Sequence, residues 1–318
     1  MIAIIHTNRK SLIPHLNMYF KSYVSSNVRV IRINSADDIN SYRNDIINGK
    51  IEYFVFSNGT DSIDQDIKGK ILKINPNQKL IFSENGWLTW QDFLYLDFHG
   101  IGNNSDVYTM THETLPDVKV PSSLRSFVND AVTRRLSVGK VCNLSNYVLV
   151  PLQVNNDSKL IIGSPYFSKV EQFVDYMIRM IPPDIKILFK NHPDNKNRID
   201  IPKLPNVVDI TDSGYSKSSL IKGSLFVAGI NSTFLIESIY MNHKTVAFGL
   251  DLFSNKGIVI EGYGKSFKDI IDAKLNVKAN ERFINTLVSK QIPKTHIIRE
   301  YKKITDNEKF TTPCCTIT

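Results

Sequence analysis

Cysteine is scarce in this chain: there are three among 318 residues, Cys142, Cys314 and Cys315. Two of them are neighbours in a polar stretch. No disulfide framework or CxxC metal site can be drawn from them, and a reducing, cytoplasmic setting fits best. Nor is there a GxxxxGK[ST] loop, a GxGxxG after the first apolar run or a GxSxG elbow, which argues against P-loop, dinucleotide and serine-hydrolase chemistry. The seven histidines never fall at HxxxH or HxH spacing, so no zinc site and no resident cofactor are expected. Long apolar runs are missing as well. None approaches the roughly 18–20 residues of a membrane span. The start, Met1-Ile2-Ala3-Ile4-Ile5, lacks a basic flank and reads as a first strand rather than a signal peptide. Clustered charge is the last absence. The net charge of +8 favours an acidic ligand or an anionic surface, but the pairs Arg9-Lys10, Arg134-Arg135 and Lys302-Lys303 lie far apart, and no nucleic-acid footprint is expected.

What the chain does have is apolar content of 42% against 22% charged residues, enough to bury a core, and length for two domains of about 150 residues each. Strand-like and helix-like patterns alternate. Strands are predicted over 2–6, 28–33, 51–56 and 79–82, with helices over 10–24, 37–49 and 61–74 between them. Residues 86–122 are less regular and rich in aromatics, and 123–137 returns to a helical pattern. The alternation then restarts, with strands over 147–150, 185–189, 206–210, 225–228 and 245–249. Helices are predicted over 168–180, 215–221 and 232–241. This order implies parallel sheets with right-handed crossovers: an α/β protein of two Rossmann-like domains facing a central cleft. Gly139-Lys140 breaks the periodicity, which places one boundary near 142/143. A second near 265/266 leaves 266–318 as C-terminal helices and a polar tail.

Four polar clusters follow apolar runs, where an open parallel sheet binds its ligands beyond the carboxyl ends of the strands. Ser83-Glu84-Asn85-Gly86 follows 79–82. Gln153 through Asp157-Ser158 follows 147–150. Lys190-Asn191-His192-Pro193 follows 185–189, with Pro193 holding His192 out of helical geometry. Gly229-Ile230-Asn231-Ser232-Thr233 follows 225–228 and opens a helix, where free N–H groups and hydroxyls suit a phosphate and also suit an ordinary cap. Glu237, one turn further in, suits a ribose hydroxyl. Glu84 and Asp157 are the paired carboxylates that glycosyl transfer with retention requires. Each cluster alone also reads as a turn.

Taken in order, these clusters resemble the retaining β-Kdo transferases of bacterial capsule and O-antigen assembly (Kdo is 3-deoxy-D-manno-oct-2-ulosonic acid). The resemblance spans about residues 80–250. It rests on Glu84-Asn85-Gly86-Trp87 with Trp90-Gln91, Asp97 with Gly100 and Asn103, and Val150-Pro151-Leu152-Gln153-Val154 leading to Asp157-Ser158. Lys190-Asn191-His192-Pro193 and Asn231-Ser232-Thr233 with Glu237 complete it. It implies a GT-B-like architecture with an N-terminal acceptor domain (1–142) and a C-terminal CMP-sugar donor domain (143–265), and no metal. Asp157 would be the nucleophile, Glu84 the acid/base and His192 the group that eases departure of the CMP phosphate. Gln153, Ser158, Lys190, Asn191, Gly229, Asn231, Ser232, Thr233 and Glu237 would bind donor. Asn85, Trp87 and Asn103 would lie on the acceptor side. The implied partners are CMP-Kdo and a lipid-linked glycan acceptor, met by peripheral association with the cytoplasmic face of the inner membrane. Other two-domain sugar-nucleotide enzymes (an inverting transferase or a 2-epimerase) and a non-catalytic nucleotide- or glycan-binding module remain the alternatives.

Overall fold

The computed structural model describes residues 2–6, 12–23, 27–33, 35–57, 59–60, 62–155, 160, 163–193, 195 and 197–308. The chain divides into two compact units. One holds Met1–Asp106, Val118–Val128 and the stretch from Leu287 onward; the other holds Val107–Asp117 and Asn129–Thr286.

In the first unit, β1 (Ile2–His6), β2 (Val28–Arg32), β3 (Tyr53–Ser57) and β4 (Lys79–Asn85) are parallel. Helices Ile13–Tyr23 and Ser62–Ile74 are among the crossovers. β3 is buried at every position, which explains its uninterrupted apolar run. β5 (Phe93–Asp97) then turns back antiparallel on β4.

In the second unit, β6 (Tyr147–Pro151), β7 (Lys186–Lys190), β8 (Val207–Asp209), β9 (Ser224–Gly229), β10 (Thr245–Ala247) and β11 (Ile260–Glu261) form one wholly parallel sheet. Its order, β11-β10-β9-β6-β7-β8, reverses direction between β9 and β6. Helix Val170–Met180 follows β6, and its apolar positions 170, 173, 174 and 177 all face the core. That i, i+3, i+4, i+7 spacing is the buried stripe of an amphipathic helix.

β12 (Gln291–Pro293) returns to the first sheet, antiparallel to β5, completing the order β12-β5-β4-β3-β1-β2. Pro293 is tolerated because β12 is an edge strand.

The α/β class and two Rossmann-like sheets are as the sequence implies. The division of the chain differs from the expected boundaries in two places. Gly139-Lys140 is not a linker: Lys140 N donates to Gly214 O at 2.8 Å and Ser216 N donates to Lys140 O at 2.8 Å, so the break in periodicity is a β-bridge within the second unit. The C-terminal stretch is not a separate tail either. Ile292 is fully buried, and Tyr301, on helix Ile298–Asn307, packs edge-on against Tyr23, Phe93 and Phe127 in the first unit. The last helix reads as polar because most of its surface faces water, yet Ile298 and Tyr301 are buried and Ile304 is half-buried.

Candidate functional site

Most of the expected donor residues lie at the carboxyl edge of the second sheet, around its switch point. Gln153 follows β6 and Asn231 follows β9, the two strands where the order reverses. Gln153 Nε2 donates to Asn231 Oδ1 at 2.9 Å, and Asn231 N donates to Gln153 Oε1 at 3.2 Å. Both side chains are nearly inaccessible, and Asn231 Nδ2 also reaches Leu250 O at 3.3 Å. This amide clasp fixes the two strand ends against each other. Its buried groups are satisfied internally, so its role here is to shape the site.

Asn191, just past β7, is also committed to the scaffold. Its side chain bonds Ile199 through Nδ2 to O (3.1 Å) and from N to Oδ1 (2.9 Å), while its own N–H donates to Thr211 Oγ1 at 3.0 Å. The corner that presents His192 is therefore rigid on its amino side and bounded by Pro193 on the other. His192 is half-buried, and its carbonyl accepts from Asn195 N at 3.0 Å.

Lys190 ends β7 with Nζ 3.3 Å from Thr211 O. Burial, followed by the positive charge of Lys217, holds its ammonium below the usual lysine range, while Asp212 and Asp209 oppose the shift. Asp212 is engaged by Arg198 in a two-pronged pair of 2.6 and 2.9 Å that is exposed to water. Such a pair adds little stability.

Ser232 caps helix Thr233–Tyr240, its hydroxyl accepting from Phe234 N at 3.2 Å. Thr233 is exposed at the first helical position, and Glu237 lies four residues on, on the same face. Lys217, from helix Lys217–Gly223, places Nζ 2.7 Å from both Glu237 oxygens and over the Phe234 ring at 5.1 Å from its centroid. Lys217 has no motif around it in sequence; only the neighbouring helices bring it to Glu237. Gly229, the last residue of β9, is buried against Leu235, a packing position rather than an open approach to the backbone.

Asp157 and Ser158 lie outside the described residues. The approach to them is anchored, because Asn155 Oδ1 accepts from Val170 N at 2.7 Å while its Nδ2 donates to Glu171 at 2.9 and 3.0 Å.

Glu84 and Asn85 close β4 in the first unit, both half-buried. Glu84 Oε1 accepts from Asn85 N at 2.8 Å, and Asn85 Oδ1 accepts from Lys294 Nζ at 3.1 Å. Trp87 is 3% exposed and stacks on Tyr95 with ring centroids 4.0 Å apart, so its role is packing rather than acceptor contact. Gly86 is required by close approach: a Cβ there would sit 2.7 Å from Phe93 Cβ. Asn103 lies in the turn Gly102–Asn104, beyond the end of β5. Because Asp97 pairs beside Phe82, the chain leaves β5 toward the amino end of β4, away from Glu84.

Asp97, His99 and Asp106 bring three ligand-type atoms within 4.8 Å of one another. The charge there is already met. Lys290 Nζ is 3.2 Å from Asp106 Oδ2 and 3.9 Å from Asp97 Oδ2, and Asp97 accepts backbone N–H groups of His99, Gly100 and Asp106.

Two Rossmann-like sheets, one with its polar strand ends gathered at a switch point, define an α/β protein whose second sheet has the edge at which such folds bind ligands. The chain belongs to the capsule polysaccharide biosynthesis protein family, whose model matches residues 118–292. Among curated proteins it is similar to Protein FixF of Sinorhizobium fredii, at 26% identity over 137 residues. That match takes in 42% of this chain, and the chain spans only about a third (34%) of that relative's length. Two solved structures of Thermosulfurimonas dismutans KpsC share the fold. The β-Kdo 2,7 transferase matches with a TM-score of 0.59 and 16% identity, over 96% of this chain and 99% of that one. The β-Kdo 2,4 transferase matches with a TM-score of 0.60 and 13% identity, over 89% of each. Among the described residues, no helix is long and apolar enough to cross a membrane.

Proposed function

We propose that this protein is a glycosyltransferase of surface-polysaccharide synthesis that moves Kdo from CMP-Kdo to a glycan acceptor with retention of configuration. The observation that carries this reading is the cationic edge of the second sheet. Lys190 and the Ser232-capped helix end offer positive charge and donors to a phosphate, and Glu237, steadied by Lys217, offers a carboxylate to a ribose. The family match covers every donor-side residue, and the fold is that of two β-Kdo transferases.

In the proposed reaction the Asp157 carboxylate attacks the anomeric carbon of Kdo. The bond from that carbon to the phosphate oxygen breaks, and its electron pair leaves with CMP. An acceptor hydroxyl then attacks the same carbon, its proton passes to Glu84, and the bond to Asp157 breaks to restore the carboxylate. Both steps pass through an oxocarbenium-like state, which a facing carboxylate stabilises while Lys190 and His192 offset charge on the departing phosphate. No step calls on a metal. Acceptor delivery at the cytoplasmic face of the inner membrane belongs to the same proposal.

The test combines wild type and Asp157→Asn with CMP-Kdo and a lipid-linked acceptor mimic. Wild type should gain the mass of one Kdo unit on Asp157 and form a β-linked product; the variant should show neither. An inverted product, or epimerised donor, would replace this reading with one of the other sugar-nucleotide chemistries. CMP binding without turnover would make the protein a binding module.

A further inference from the structure

Among the described residues, the three most exposed large apolar side chains are Val138 (72%), Val277 (71%) and Val141 (70%). Two of them share one short turn in the second unit. Val138 and Val141 follow the helix Ser122–Leu136, whose last turn carries Arg134 and Arg135, and Lys140 lies between the valines. All three cations are exposed. No acidic residue occurs between Asp130 and Asp157.

The turn is fixed by what it lies on. Lys140 is tied through both its backbone groups to Gly214 and Ser216, and Cys142 N donates to Ser219 Oγ at 3.0 Å. Gly139 adopts φ +117°, and a Cβ there would meet Gly214 O at 2.5 Å, so only glycine lets the two segments approach this closely. The supporting segment, 213–236, is free of acidic residues as well. Lys222, exposed on helix Lys217–Gly223, is three residues from Ser219 and shares its side of that helix. The acids that flank these segments are few. Asp130 is exposed one turn before Arg134, while Asp212 and Glu237 are already engaged by Arg198 and Lys217.

Two properties narrow the partner. Four exposed cations, Arg134, Arg135, Lys140 and Lys222, with no acid interleaved favour an anionic surface. Aliphatic side chains standing out from a fixed turn gain nothing from a dissolved polyanion, but they leave water on entering the headgroup layer of a bilayer. We infer that Val138 and Val141, with these four cations, form a docking surface for an anionic lipid bilayer. What the bilayer would deliver rests on the transferase reading; the adsorption does not.

The test is sedimentation of the full chain with vesicles of phosphatidylcholine alone and with about one-third phosphatidylglycerol. Wild type should bind the anionic vesicles at least about tenfold more strongly, the difference shrinking as salt is raised. Val138→Ser with Val141→Ser should lower that binding about tenfold, and Arg134→Glu with Lys140→Glu at least as much, whereas Val277→Ser should leave it unchanged. Hydrogen exchange of residues 134–142 should slow on anionic vesicles while that of 263–278 does not. Wild type alone gives that reading, so no variant needs to fold. Equal binding to both vesicles, or undiminished binding by the double valine variant, overturns the inference. So does a fall just as large in Val277→Ser. Binding of dextran sulfate as tight as that of vesicles, with no loss in the valine variant, would make the face a general polyanion surface and overturns it too. Absence of vesicle binding, with a mass that doubles on concentration, would assign the face to a second copy of the chain and does the same. Transfer to a water-soluble acceptor, which the valine variant should carry out at the wild-type rate, distinguishes the two proposals. Transfer by a chain that ignores vesicles removes only this surface, whereas vesicle binding without transfer removes only the transferase reading.

Discussion

In the second sheet every strand runs the same way, whereas in the first β5 runs against all the others, and the edge strand beyond it is supplied by the distant segment 291–293. The polar groups at the two candidate sites differ in the same sense. In the second unit they come from ends of parallel strands adjacent in the sheet, and many are tied to one another, as in the Gln153–Asn231 clasp and the Asn191–Ile199 pair. In the first unit they come from the end of β4, from the turn beyond it and from residues 294–296, brought together from about 200 positions apart. Both units also bury charged groups, of both signs. The second hides Lys256, whose ammonium donates to Met110 O (2.6 Å), Ser254 O (3.0 Å) and Tyr108 O (3.4 Å), and burial lowers it to about 8. The first hides Asp97 among backbone N–H groups. The lesson is that a site on parallel strand ends can be assembled locally and held rigid, while one built on a turn depends on a remote segment to complete it.

The strongest way to break this comparison is to separate the two half-reactions. On the proposed reading, Asp157→Asn should lower both donor cleavage and transfer by about a thousandfold. Glu84→Gln should lower transfer comparably but let the Kdo-labelled protein accumulate, which intact-mass measurement distinguishes. Equal loss of labelling in both variants would deny a division of labour between the units.

Next in size is a pH effect confined to the first unit. Burial, aided by Asp106 and opposed by Lys290 and backbone N–H groups, raises Asp97 from its ordinary 3.8 to about 6. Between those values the folded chain holds a proton that the unfolded chain has released. Stability from this group should therefore fall as pH rises from about 4 to 6, by at most about 3 kcal/mol. Unfolding free energies of wild type and Asp97→Asn across that range should diverge accordingly.

In the second unit, Asn191→Leu should cost about 2 kcal/mol by leaving the Ile199 backbone groups without partners, read as a lower denaturant midpoint. The smallest effect concerns Glu237. Glu237→Gln should weaken CMP binding by about tenfold, and more for CMP than for its 2′,3′-dideoxy analogue, if the carboxylate serves a ribose. Equal weakening of the two nucleotides would confine Glu237 to its pair with Lys217.

Much of the architecture was legible because local physics repeats. The stripe 170, 173, 174, 177 marks a helix whatever it packs on, and wholly apolar runs such as 53–56 mark buried parallel strands. The clusters at 153, 190–192 and 231–233 could be found because strand ends are where a parallel sheet exposes polar groups. β5 gives no alternation to read because both of its faces are buried, and β12 gives none because three residues carry no readable period. Trp87 and Trp90 look alike in sequence; only packing against Tyr95 separates a core residue from an exposed one.

By itself the sequence determined the class of fold, the two rounds of strand and helix, and the residue types offered at each strand end, since these follow from periodicity and from turn chemistry within a few residues. The tertiary structure alone decided which of those groups are spent on holding one another, which tryptophan meets solvent, and that Lys217, Lys290 and Lys294 stand beside carboxylates or amides far away in the chain. Those are long-range pairings, set by how the sheets close, and no local pattern encodes them.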